Sequence, residues 1–231
     1  MKILVTGAKG FVGRNLCENL KNLRDGKNRT RPALTVDEIY EYDIDTDPVL
    51  LEEYCAKVVP EGGKLGLCGL TASCALVNSV KKALETKNAA IKTLFLEDEL
   101  WTEGRPALPA TTAWILPKEY AGFSPAEKLG QLRAKLAELG CTAQLVGKLD
   151  NLAWLLNLRA MDIECTPYAM AYCYVTPDRA VLFINTARVT PEAKAELEAN
   201  GVTLAEYDSV LDFMAAETEP QTVLAESATV N

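Results

Sequence analysis

Residues 149–163 read Leu149-Asp150-Asn151-Leu152-Ala153-Trp154-Leu155-Leu156-Asn157-Leu158-Arg159-Ala160-Met161-Asp162-Ile163, and the elements on either side of this stretch set the fold class. A strand over Ala143–Val146 leads into it. A strand over 168–175 follows, then a turn at Thr176-Pro177-Asp178-Arg179 and a second strand over 180–184. Next come a helix over 191–199 that stops at Asn200-Gly201, a strand near 202–207, a helix over 208–215 and a short strand at 222–224. Strands and helices mixed in this way predict a layered α/β domain with a mixed sheet.

Upstream, Ser124 and Glu127 have the spacing of a capping box, and Pro125 stands at the first helical position, where its missing N–H costs nothing. Leu129, Leu132, Leu136 and Leu139 follow as one apolar stripe, and Gly140 ends the helix. Prolines 106, 109 and 117 stiffen an extended connector over 105–117, the natural place for a domain boundary. Before it, 71–87 carries a helix pattern with Cys74, Val77, Val80 and Leu84 on one side, and 91–95 reads as a strand.

Two of these stretches resemble one family. The 149–163 text is similar to the LDDIAWLLNIRGSDI of the second domain of the long, three-domain Xaa-Pro aminopeptidases (the aminopeptidase P family). Leu100-Trp101-Thr102-Glu103-Gly104-Arg105-Pro106-Ala107-Leu108-Pro109 resembles the stretch that closes their first domain. The resemblance covers residues 58–231. It implies a remnant of a first N-terminal domain over 58–104 and a second creatinase/prolidase N-terminal-type domain over 118–231. In that family a catalytic domain follows, where two divalent metals such as manganese, held by two Asp, one His and two Glu, generate the hydroxide that attacks an Xaa-Pro bond. None of those ligand motifs matches here, and the chain contains no histidine, so no catalytic or metal-binding residue is assigned and the catalytic domain is expected to be absent. The resemblance further implies dimer contacts and a narrowing of the active-site entrance, with Arg159 and Asp162 placed near that entrance; the other reading of these two is a loop ion pair. Ala160 departs from the family's Gly, and Thr166 from its Asn.

The first 57 residues read differently. An apolar strand over Lys2–Val5 runs into Thr6-Gly7-Ala8-Lys9-Gly10-Phe11-Val12-Gly13, and a helix pattern follows with Phe11, Leu16, Leu20 and Leu23 on one face. Glycines that let backbone approach a pyrophosphate, followed by a helix N-terminus, suit a phosphate-binding loop. Residues 38–43 read as a second strand ending in Asp43. This arrangement resembles the opening of extended short-chain dehydrogenases and NAD-dependent epimerases. It implies a partial Rossmann-like segment with Gly7, Gly10 and Gly13 facing the pyrophosphate of NAD(P) and Asp43 facing the ribose. The family's Tyr-x-x-x-Lys pair is absent, which removes its acid–base chemistry. Residues 1–100 are expected to join the two pieces in one sheet.

Composition bounds the rest. Of the 231 residues 48% are apolar and 24% charged, as in ordinary globular proteins. The net charge of −8 argues against nucleic acid and anionic membranes as partners. Seven cysteines with no C-x-x-C pair read as reduced thiols, mostly in the core of a cytoplasmic protein. No apolar run reaches the roughly 18–20 residues of a membrane span. Trp101, Trp114 and Trp154 read as core anchors. The expected partners are a second copy of the chain or a catalytic domain, with proline-containing peptides as ligands only where a catalytic domain is present. The function expected is that of a non-catalytic N-terminal region of an Xaa-Pro aminopeptidase-like protein; the alternatives are an NAD(P)-binding epimerase-like protein and a fused or truncated product without activity of its own.

Overall fold

A computed structural model describes residues 1–28, 35–69, 71–94 and 103–228. The chain forms two compact units, Met1–Leu96 and Glu97–Val230.

In the first unit, β1 (Lys2–Thr6) pairs in parallel with β2 (Glu38–Tyr42), Lys2 opposite Glu38 and Thr6 opposite Tyr42. Between them lies α1 (Phe11–Arg24), whose buried residues are Gly13, Cys17 and Leu20, one face at i, i+4, i+7. Phe11 and Leu16 are exposed, a correction to the expected face. Leu20 and Leu23 of that face do pack inward, while Gly13 sits against the glycine turn and Phe11 and Leu16 point away. After α2 (Leu51–Val58) come β3 (Lys64–Cys68), α3 (Cys74–Leu84) and β4 (Ala90–Leu94), with β3 and β4 parallel. Ser73 caps α3 by accepting from the Leu76 N–H.

β1 is apolar toward both faces. Ile3 and Val5 pack with Cys17, Leu20 and Val36, while Leu4 packs with Cys55, Val59, Val80 and Leu84. Period-two alternation thus seats this strand between two small cores. One core is built from residues before position 57, and the other from residues on both sides of it. The expected seam at 57 falls inside α2. The single sheet expected over residues 1–100 is instead two two-stranded parallel sheets, β1–β2 and β3–β4.

The second unit holds a five-stranded mixed sheet in the order β10-β9-β8-β6-β11. Its strands are β6 (Ala143–Val146), β8 (Tyr172–Val175), β9 (Ala180–Phe183), β10 (Val202–Ala205) and β11 (Val223–Leu224). β8 runs antiparallel to β6 and β9, and the outer pairs β9–β10 and β6–β11 are parallel. One face carries Val146, Cys173, Val175, Ala180 and Leu182. Against them lie leucines of α5 (Pro125–Glu138), α6 (Leu149–Leu155) and α7 (Pro191–Ala199). The opposite face presents Tyr174, Val181 and Phe183 to Phe213 and Met214 of α8 (Val210–Ala215). This is the layered mixed-sheet α/β domain expected. A short helix α4 (Lys118–Ala121) precedes α5, and a small antiparallel pair, β5 (Trp114–Ile115) with β7 (Leu158–Arg159), lies beside the motif.

Two expectations about packing fail. Trp114 and Trp154 are 41% and 54% exposed, so neither anchors the core; Trp101 lies outside the described residues. Leucines at 152, 155, 156 and 158 fill the space under the motif, leaving the indoles at the surface. Of the seven cysteines only Cys17, Cys55 and Cys173 are buried, and Cys165 is exposed. Burial pushes the Cys173 thiol up to about 12.

Candidate functional site

The motif at 149–163 positions three polar clusters. It leaves α6 at Leu155 and turns through Asn157 in the left-handed region, φ 55°, a conformation that asparagine tolerates. The Asn157 carboxamide donates to the Phe123 carbonyl at 2.9 Å and accepts from Lys128 Nζ at 2.6 Å. Lys128 is buried on α5 without a carboxylate partner among its hydrogen bonds. Its Nζ also donates to the Trp154 carbonyl at 2.8 Å and lies 4.7 Å from the centre of the Trp154 ring. Two oxygens and a π face compensate the cation. Burial lowers its pKa, and the Arg159 charge adds to that. Asn157 belongs to the stretch that carries the family resemblance, whereas nothing in the sequence marks Lys128 as its partner.

Arg159 and Asp162, expected together near an entrance, do not pair. Arg159 Nη1 donates to the Ala153 and Leu158 carbonyls at 2.5 and 2.9 Å, closing the turn of the motif. Asp162 pairs with Arg188, Nη1 to Oδ2 at 2.5 Å, with side-chain exposures of 0% and 4%. The same carboxylate accepts from Thr111 Oγ1 and from the Met170 N–H, each at 2.6 Å. Arg188 reaches the Thr111 and Met170 carbonyls at 3.2 and 2.8 Å. Burial pushes the Asp162 carboxyl up, but the Thr111 hydroxyl, the Met170 N–H and Arg188 together outweigh it and hold it below its ordinary value. Arg188, 26 residues beyond its partner, leaves no legible trace in the sequence.

Beside this pair lies a cavity of about 150 Å³ lined by Leu108, Pro109, Met170, Arg188, Tyr207 and their neighbours. Tyr207 stacks on Tyr172 with ring centres 5.2 Å apart. Burial and the Tyr172 hydroxyl raise its pKa.

The glycine turn of the first unit forms as a tight structure. Gly7 has φ 68°, and the Gly10 N–H donates to its carbonyl at 3.1 Å. A Cβ on Gly13 would stand 1.9 Å from the Gly7 oxygen, so this glycine serves helix–strand packing. Asp43 is 6% exposed. Its Oδ2 accepts from the Lys9 N–H at 2.8 Å and its Oδ1 from the Asp45 N–H at 3.2 Å. The carboxylate therefore clamps the turn from within. Among the described residues no three His, Cys, Asp or Glu side chains gather as a metal site, and no helix is long and apolar enough to cross a membrane.

Residues 104–231 match the creatinase/prolidase N-terminal domain. The chain belongs to that family. Within it, this creatinase/prolidase N-terminal chain is 35% identical over 162 residues to Aminopeptidase P2 of Arabidopsis thaliana, covering 69% of this chain and 23% of the relative. It is 41% identical over 132 residues to a probable Xaa-Pro aminopeptidase P of Arthroderma benhamiae, covering 57% of this chain and 18% of that one. The chain thus spans about a quarter or less of these relatives' length. Its fold superposes on the crystal structure of an X-prolyl aminopeptidase from Caenorhabditis elegans, described as a cytosolic enzyme with a di-nuclear active site. The TM-score is 0.73 at 23% identity, covering 87% of this chain and 35% of that one. That coverage exceeds residues 58–231 and so reaches into the first 57. The expected descent of those residues from an epimerase receives no support.

Proposed function

We propose that this creatinase/prolidase N-terminal chain is a non-catalytic region of an Xaa-Pro aminopeptidase-like metallopeptidase, contributing dimer contacts and narrowing the entrance to a metal-dependent site that the rest of such a protein supplies. The observation that carries the reading is the family match over 104–231 joined to aminopeptidase relatives several times longer. Arg159 and Asp162 enter it as supports of the entrance side, Asp162 holding the Met170 backbone and Arg159 the Ala153–Leu158 turn. A cytoplasmic setting fits the seven free thiols and the description of the C. elegans enzyme as cytosolic. The test is cleavage of an Xaa-Pro peptide with manganese added. No turnover is expected from this chain alone, and manganese-dependent turnover would overturn the reading. Analytical ultracentrifugation tests the dimer; a monomer at all concentrations would remove that part.

A further inference from the structure

Helix α1 is apolar on two sides. Gly13, Cys17 and Leu20 are buried toward β1. On the opposite side Phe11, Asn15 and Asn19 form a row at i, i+4 and i+8, and Val12 and Leu16 form the row next to it. All five are exposed, Phe11 at 86% and Val12 at 74%, and none is charged. An outward helix face ordinarily carries charge. Here Arg14, Glu18 and Lys21 stand on the other flank, where they line a cavity with Glu41, and Lys21 meets Glu41 at 3.0 Å. Asn15 Nδ2 donates to the Phe11 carbonyl at 2.8 Å and Asn19 Nδ2 to the Asn15 carbonyl at 3.0 Å. Neither carboxamide oxygen takes a hydrogen bond among the described residues. Ile44 follows Asp43, whose carboxylate accepts from the Lys9 N–H, and so adds an exposed apolar side chain near the start of the strip.

We infer that this strip is the face on which two copies of the chain meet, α1 against α1 across a twofold axis, which rests on the dimer proposed above and gives it a location. A twofold contact presents the same patch from both copies, so a charge at its centre would face its own kind. With a net charge of −8 on each copy, two chains repel wherever charged surfaces meet and can approach where the surface is neutral and apolar. The strip has that character along two and a half turns of helix, and its free carboxamide oxygens can accept from the Asn15 and Asn19 amides of the second copy. One helix face on each side makes an interface at the small end of the specific range, below about 1,200 Å² in total, so the dimer is expected to be reversible at micromolar concentration.

The experiment is sedimentation velocity on the full chain over a range of concentrations. It compares wild type, Val12→Glu, Val12→Lys, an equimolar mixture of these two, and Leu211→Glu, which changes an exposed leucine of α8 in the second unit. Each change at position 12 alone should weaken the dimer at least about tenfold, because like charges then face each other. The mixture should associate more tightly than either variant, which also shows both to be folded, and Leu211→Glu should behave as wild type. A wild-type dimer that Val12→Glu leaves unchanged, a mixture no tighter than its components, or an equal loss in Leu211→Glu would overturn this contact while leaving the dimer itself standing. A wild type that stays monomeric at every concentration would overturn both.

Discussion

At the scale of single residues, the Asp162–Arg188 pair shows how a buried charge is tolerated. Both side chains are sealed from water, and each binds backbone groups as well as its partner, although the buried Arg188 Nε has no hydrogen-bond partner. Such a pair contributes little net stability against an apolar alternative, but removing one member is costly. Asp162→Asn should destabilise the second unit by about 3–5 kcal/mol, read as urea unfolding of resolved amides in β8 and β9. The pH dependence has a definite sign. The folded pKa of Asp162 lies below its ordinary 3.8, so its contribution is fully present above that value and is lost as pH falls through the lower, folded one. Acid unfolding of the wild type below about pH 4 should therefore show a step that Asp162→Asn lacks. A second residue-scale prediction concerns Gly13. With 1.9 Å between an added Cβ and the Gly7 carbonyl oxygen, Gly13→Ala must displace backbone and should cost about 1–3 kcal/mol or more, measured by thermal melting. An unchanged melting temperature would show that α1 does not pack where described.

Among the elements, α5 is the one most fully written in its own residues. The Ser124–Glu127 capping box forms in full, the Ser124 N–H donating to Glu127 Oε2 at 2.7 Å and the Glu127 N–H to Ser124 Oγ at 3.3 Å. Ser124→Ala should cost about 1 kcal/mol, seen as a lower denaturant midpoint with an unchanged slope. The Lys118 ammonium, followed by the Ser124 N–H, holds the Glu127 carboxyl down at about 2, which a carbon-detected NMR titration reads directly; a value near 4 would show the box frayed. A cap, a stop glycine and an apolar stripe are local rules carried by neighbouring residues, and so the sequence displays them, although Leu139, expected in the stripe, follows the helix end at Glu138 and is exposed. What it hides depends on distance along the chain. Arg188 meets Asp162, and Lys128 meets Asn157, only after the sheet has folded. Gly7, Gly10 and Gly13 have the spacing of a phosphate loop, and what the spacing does not display is the packing of Gly13 against the Gly7 carbonyl and the clamp of Asp43 on the turn. The exposed tryptophans escape a reading of composition because composition does not say which of many apolar residues wins the core; four leucines of the motif do.

For the whole molecule, the buried carboxylate of Asp43 predicts that millimolar NAD(H) or NADP(H) leaves the melting temperature unchanged, and a clear rise would reopen the nucleotide reading. The division into units also has an optical corollary. All three tryptophans, at 101, 114 and 154, follow residue 96, whereas the first unit carries only Tyr40, Tyr42 and Tyr54 as chromophores of this kind. Indole emission is consequently blind to the first unit, while the far-ultraviolet dichroism of helices registers both. Trp154 is also half in water and close to the Lys128 ammonium, so its spectrum should respond when that contact opens. Following one denaturation with both signals turns the placement of three indoles into a measurement of coupling: coincident curves mean the two units melt as one, and separated curves mean each keeps its own stability.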